Sequence, residues 1–313
     1  MSKAPRLVHI VDDVPELAER ATGDTLTMVI SLDGFLDAGH ASALAAASLS
    51  DGHEGPVVAT FDVDQFFDYR ARRPAMSFVR DHYRDYDAPR LVVRLLHDAS
   101  GTPFLLLLGP EPDTRWEAFA RGVRDVIERF GVTRVVGMGS VPMAVPHTRP
   151  IHITPHANNP ALLSGESRWS GELRIPSSAQ ALLELRLGEW GHDAMGFVAH
   201  IPHYLAQFRY PRAAVSLLEE VERAAGILVD LGGLRELAHD RETEIAHYVE
   251  TNPEVADLVS GLEQQYDAFE RAQSPGASLL AEGVDLPTGD EIGELFEQFL
   301  AGLDGPDAET RQD

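Results

Sequence analysis

The sequence predicts an α/β fold: a three-layer sandwich in which helices cover both faces of a mixed sheet, with a small helical appendix at its C-terminal end. Three observations carry that expectation. Short apolar runs with β-branched residues alternate with stretches of helical periodicity along the first 230 residues. Two of the runs are separated only by residues 97–103 (HDASGTP), which suits a hairpin rather than a crossover and makes the sheet mixed. Beyond about residue 230 the strand signals stop and helical periodicity continues.

Residues 26–32 (LTMVISL) read as the first strand, bounded by Gly23-Asp24 and Asp33-Gly34. Residues 38–50, rich in alanine and leucine, read as a helix, and 56–61 (PVVATF) as the second strand. Residues 91–96 (LVVRLL) and 104–108 (FLLLL) are the hairpin strands. The clearest helix covers 114–130, where Trp116, Phe119, Val123, Val126, Ile127 and Phe130 recur at helical spacing. Asp113 or Thr114 is expected to cap its start and Gly131 to end it. Strands follow over 132–138 and 151–154, a helix over 177–190, a strand over 194–201, and a helix over 211–227 with Pro211 in its first turn. Residues 231–250 and 253–271 read as two helices broken at Asn252-Pro253. The second carries a seam of Val255, Leu258, Val259, Leu262, Tyr266 and Phe269 near heptad spacing. After a loop opening at Ser274-Pro275-Gly276, a short helix places Ile292, Leu295, Phe296, Phe299 and Leu300 on one side. The expected division is an α/β domain over 1–230, a helical region over 231–302 and a flexible tail over 303–313.

Composition excludes several function classes. The chain has no cysteine, so disulfides, thiolate catalysis and Cys-based zinc sites are excluded. No run approaches the roughly 20 apolar residues of a membrane helix. The apolar stretch at 7–11 is cut short by Asp12, Asp13, Glu16 and Glu19, so no signal peptide is expected and the cytoplasm is the expected compartment. Fifty acidic residues against 26 basic ones, a net charge of −24, argue against nucleic acid and anionic membranes as partners. Lys3 is the only lysine, which removes lysine Schiff-base and P-loop chemistry from the rest of the chain.

In open α/β folds, sites gather where the carboxyl ends of strands meet the following loops. The candidate pocket residues there are Asp33, Asp37 and His40 after the first strand, and Asp68, Arg70 and Arg73 after the second. Glu111 follows the hairpin, and His147 and Arg149 follow the next strand. Guanidinium groups hold phosphate or carboxylate through paired hydrogen bonds, and carboxylates serve as bases or hydroxyl binders. The alternative is that these charges pair with one another and fix loops, so no catalytic role is assigned. Residues 137–140 (GMGS) fall short of a dinucleotide fingerprint because Pro142 replaces the third glycine, and a tight turn is expected instead. Ser140 is not in a G-x-S-x-G elbow. His152 and His156 lie four apart, but Pro155 argues against a helix there, and His200 and His203 read as loop or core histidines. No metal and no cofactor is expected.

Five segments together carry a resemblance: 34–39 (GFLDAG), 68–74 (DYRARRP), 109–116 (GPEPDTRW), 145–150 (VPHTRP) and 201–206 (IPHYLA). Through them the chain resembles the proteasome assembly chaperone 2 family, in its actinobacterial branch of uncharacterised proteins. The resemblance implies an α/β fold like that of purine nucleoside phosphorylases and related hydrolases. It also implies homo-oligomers, with a trimer the expected form, or hetero-pairs in the eukaryotic relatives. The family takes its name from chaperones of 20S proteasome assembly, and some relatives dock through a terminal hydrophobic-Tyr-any motif. This chain ends Thr310-Arg311-Gln312-Asp313, so docking on proteasome subunits by that motif is not expected. The expected function is a non-enzymatic, oligomeric assembly or interaction protein. The alternative is a phosphorylase- or hydrolase-like enzyme, or a small-ligand binder, using the polar rim of the sheet.

Overall fold

The computed structural model describes residues 7–20, 25–50, 55–164 and 172–272. The elements in chain order are β1 (Val8–Ile10), α1 (Pro15–Ala18), β2 (Thr27–Asp33), α2 (Ala41–Ser50) and β3 (Val57–Phe61). A small hairpin follows, β4 (Ser77–Val79) and β5 (His82–Arg84), then β6 (Val92–His97), β7 (Pro103–Pro110) and α3 (Trp116–Phe130). The chain continues through β8 (Arg134–Met143), β9 (Ile153–Ala157), α4 (Ala179–Glu189), β10 (Ala194–Pro202) and α5 (Pro211–Ala225). It closes with α6 (Gly232–Thr251) and α7 (Pro253–Ala272).

Eight strands form one sheet in the order β1-β3-β6-β7-β2-β8-β10-β9. The central strands β7, β2, β8 and β10 are mutually parallel, and β6 pairs antiparallel with β7 as the short connection requires. Alternation along β2 assigns the two faces. Met28 and Ile30 join a core with Phe119 and Val123 of α3 and Leu183 of α4. Val29 joins the opposite core with Leu44 of α2 and Leu217 of α5. That second core continues into Leu234 and Tyr248 of α6 and Val255, Leu258 and Leu262 of α7, so the C-terminal helices pack against the α/β body through the expected seam. Among the described residues no helix is long and apolar enough to cross a membrane.

The structure departs from the expected elements at particular points. The helix expected from residue 38 begins at Ala41, because Gly39 and His40 are left-handed at φ 66° and 50°. Gly39 fits there because a Cβ would press within 3.2 Å of Tyr210 and Ile201. Helix α3 is capped by neither Asp113 nor Thr114; its N-cap is Arg115, at φ 60°, with no side-chain cap bond. Asp113 is engaged elsewhere, accepting from the Asp68 N–H at 2.6 Å and pairing with Arg72 at 2.8 Å. Residues 137–140 are not a turn but the middle of β8. A Cβ at Gly137 would sit 2.6 Å from Gln180 Nε2 of α4 and would displace the end of that side chain. Strands β1, β4 and β5 lie outside the expected set; at three residues each they are too short for a periodic signal. The loop expected after Ser274, the helix around 292–300 and the acidic tail lie outside the described residues.

Candidate functional site

The parallel strands β2, β7, β8 and β10 end on one rim, and β3 ends there too. The loop after β2 is held in place by its neighbours. The N–H of Ser140 donates to Leu36 O at 3.0 Å, and the Gly39 N–H to Ala206 O at 2.6 Å. Asp37 Oδ1 accepts the Ser42 N–H at 2.7 Å, satisfying a first-turn donor of α2. Burial nevertheless outweighs that bond and the nearby His40, and pushes the Asp37 carboxyl up to about 6. Asp33, at the end of β2, is also raised by burial of its carboxyl, with Arg72 and His40 opposing.

Glu111 ties three segments together. Its Oε2 accepts the Phe35 N–H at 3.2 Å and its Oε1 the Ala179 N–H at 2.7 Å, placing a carboxylate at the N-terminus of α4. Arg72 supports it from below. Its Nη2 donates to Glu111 O at 2.6 Å and reaches Asp113, while its guanidinium lies 4.6 Å over the Phe67 ring. Arg72 was one of several arginines in the 68–74 motif, and nothing in the local pattern distinguishes it from Arg70 and Arg73.

Between this rim and α2 lies a cleft of about 550 Å³, within the range of ligand sites. Asp33, Phe67, Arg72, Arg73 and Arg90 line it over a floor from α2 that includes Ala43 and Ala47. The two serines in its wall, Ser31 and Ser50, donate their hydroxyls to Ser42 O and Ala46 O, so neither is poised against a base. Of the predicted residues, Asp33 and Arg73 line the cleft, while Asp37, His40 and Glu111 belong to the loop network beside it. Asp68 and Arg70 form the turn at its edge, with Asp68 Oδ1 accepting the Arg70 N–H at 2.8 Å.

His147 and Arg149 are not brought to the cleft. His147 is buried, and the Tyr204 hydroxyl accepts its N–H at 3.0 Å and lies 2.7 Å from its Nδ1. Burial first, then the Arg212 charge, lowers His147 to about 4, against a weaker opposing pull from Glu263. Arg149 makes a two-pronged pair with Asp267 of α7, at 2.9 and 2.7 Å, and reaches Glu263 at 3.1 Å. Arg212 completes this end, donating to His147 O at 2.8 Å and pairing with Glu242 of α6 at 3.1 Å. Tyr204 and Arg212 were missed. The signal for Tyr204 is the 201–206 motif, in which it follows His203. His200, on β10, is buried and lowered to about 4 by its burial and by His152, consistent with a core histidine. Among the described residues no group of three or more His, Cys, Asp or Glu could hold a metal ion.

Comparison with known proteins gives a family and a fold. A sequence model of the PAC2 family matches residues 31–249. A Mycobacterium tuberculosis protein of unknown function is 45% identical with a TM-score of 0.81, covering 87% of this chain and 92% of its own. A Corynebacterium glutamicum protein of unknown function is 32% identical with a TM-score of 0.80, covering 86% and 99%. A Mycobacterium tuberculosis proteasome-assembly chaperone homologue is 27% identical with a TM-score of 0.66, covering 75% and 100%. No curated protein matches the chain.

Proposed function

The chain belongs to the PAC2 family, and from that premise we propose that it acts without catalysis, as a chaperone-like assembly protein working through protein–protein contacts. Its likeness to a proteasome-assembly chaperone homologue supports the assembly role, and the proposed working form is a homo-oligomer, expected as a trimer. The proposed compartment is the cytoplasm.

The observation that carries the reading is the β4–β5 hairpin. Phe78 and Tyr83 stand opposite each other with ring centroids 5.0 Å apart, yet are 60% and 72% exposed. Met76 and Tyr86 flank them and are also exposed. An isolated two-stranded hairpin is marginal in water, and an aromatic cluster with arginines around it is the composition of an interface core.

The test is the native mass of the full chain beside a Phe78→Ser, Tyr83→Ser double variant. The expected result is an oligomer that falls to monomer in the variant while the circular dichroism spectrum stays the same. An unchanged mass in the variant removes the hairpin from the assembly role. A single mass of one chain for the unmodified protein overturns the homo-oligomer.

A further inference from the structure

Four ionic side chains of both signs surround the cleft between the strand-end rim and α2: Asp33 and Asp87, Arg73 and Arg90. Among the described residues none of the four makes a hydrogen bond or an ion pair through its side chain, so none is paired with another. Neighbouring charges do pair. Arg72, also in the cleft wall, holds Asp113 at 2.8 Å, and at the far end of the rim Arg149 holds Asp267 at 2.7 Å. Two acids and two arginines left unpaired sum to no net charge, which gives an ion of one sign no advantage. Opposite charges gathered at one cleft yet kept apart are complementary to a solute that carries both signs itself.

The spacing of the charges sets the size of that solute. Asp33 of β2 pairs with Pro110 of β7, and Arg90 lies on the other side of β7, against Gly109. The main chains of Asp33 and Arg90 are therefore two strand spacings apart, about 10 Å. A free amino acid carries its ammonium and carboxylate on one carbon, too close together to span that distance. Three extended residues reach about 10 Å. The cleft, at about 550 Å³, has room for such a molecule. Its uncharged lining suits a peptide main chain: Ala43 and Ala47 of α2 leave space along the floor, and Phe67 and Pro74 supply apolar walls.

We propose that the cleft is a binding site for small zwitterions of short-peptide size, with the ligand's ammonium group on Asp33 and its carboxylate on Arg90. Arg73 adds a second cation for the carboxylate, and Asp87 keeps the site as a whole neutral. The site goes beyond the assembly role and does not depend on it, since it uses none of the exposed rings of the hairpin.

The probes are trialanine, its N-acetyl form and its C-terminal amide, titrated into the full chain at neutral pH and followed by ligand-observed NMR. Trialanine is expected to bind, and blocking either end should weaken it about tenfold, the effect of losing one charge-assisted hydrogen bond. In Asp33→Asn the penalty for blocking the amine should disappear while the penalty for blocking the carboxylate stays. In Arg90→Ala the reverse is expected. A site that is merely part of the fold does not exchange these two penalties. No binding of trialanine up to about 10 mM overturns the proposal. So does equal binding of the three peptides, or a penalty that neither variant moves. An unchanged melting temperature establishes that each variant folds, and the three peptides on the unmodified chain test the charge requirement without any variant. The outcome is separable from the assembly role, because native mass reads the hairpin and the titration reads the cleft.

Discussion

The two ends of the strand-end rim are built from the same residue types and use them in opposite ways. At the β8–β10 end, His147 and Tyr204 are buried against each other, while Arg149 and Arg212, half-buried, pair with Asp267 of α7 and Glu242 of α6. At the β2–β7 end, Asp33, Arg73 and Arg90 edge an open cleft beside an exposed aromatic hairpin. The difference teaches that polar residues on strand-end loops do not by themselves mark a site. Where a later element covers them they become fasteners, and where none does they remain available for binding.

The largest expected effect is at the covered end. Tyr204→Ala should cost about 3–5 kcal/mol in urea unfolding, since it empties a fully buried aromatic site and leaves His147 without its partner. Arg73→Ala at the open end should stay within roughly 0.5 kcal/mol. Comparable losses from the two changes would break the contrast.

Acidity should separate the ends by sign. His147 and His200 titrate near 4 in the folded chain and near 6.5 unfolded, so the unfolded state binds more protons between those values. Their contribution, on the order of 3 kcal/mol each, is present above pH 6.5 and lost as pH falls through 4. Asp37 runs the other way: raised to about 6, its contribution is present below 3.8 and lost as pH rises through 6. Asp37→Asn should therefore stabilise the protein at pH 7 by about 1–2 kcal/mol, with the gain vanishing near pH 3.5. Denaturation midpoints of both proteins across pH 3.5–8 check this, and a gain that grows on acidification would reverse the assignment.

A local effect is expected from Arg149→Ala, which removes the pairs to Asp267 and Glu263. Amide exchange should speed up across 253–272 while the global melting temperature barely moves. Protection unchanged in α7 would mean that its apolar seam alone holds it. The smallest stability effect belongs to Phe78→Ser with Tyr83→Ser, within roughly 0.5 kcal/mol, although this pair is expected to change the assembly most. A large drop in melting temperature that does not depend on protein concentration would place these rings in the fold rather than at an interface.

The sequence carried much of the fold because its signals are local. The apolar run of 26–32 and the seam on 253–271 each record burial over neighbouring residues, and the short 97–103 connection leaves its two strands room only for a hairpin. Local signals also had limits. Asp113 has the chemistry of a helix cap, yet tertiary contacts with Asp68 and Arg72 claimed it first. Strands of three residues and a glycine pair inside β8 left no pattern to read.

The candidate rim was legible as a set of loops, because strand ends converge by topology. Which members of that set would meet was decided only in three dimensions. Arg149 and Asp267 lie 118 positions apart, and nothing near either one names the other. Arg73 stays at an open edge while Arg149, of the same charge and in an equally polar loop, is paired beneath α7. The physical reason is range. Secondary structure follows from neighbours a few residues away, whereas ion pairs and buried hydrogen bonds need groups within about 3 Å, a distance that only the packed sheet and its covering helices impose.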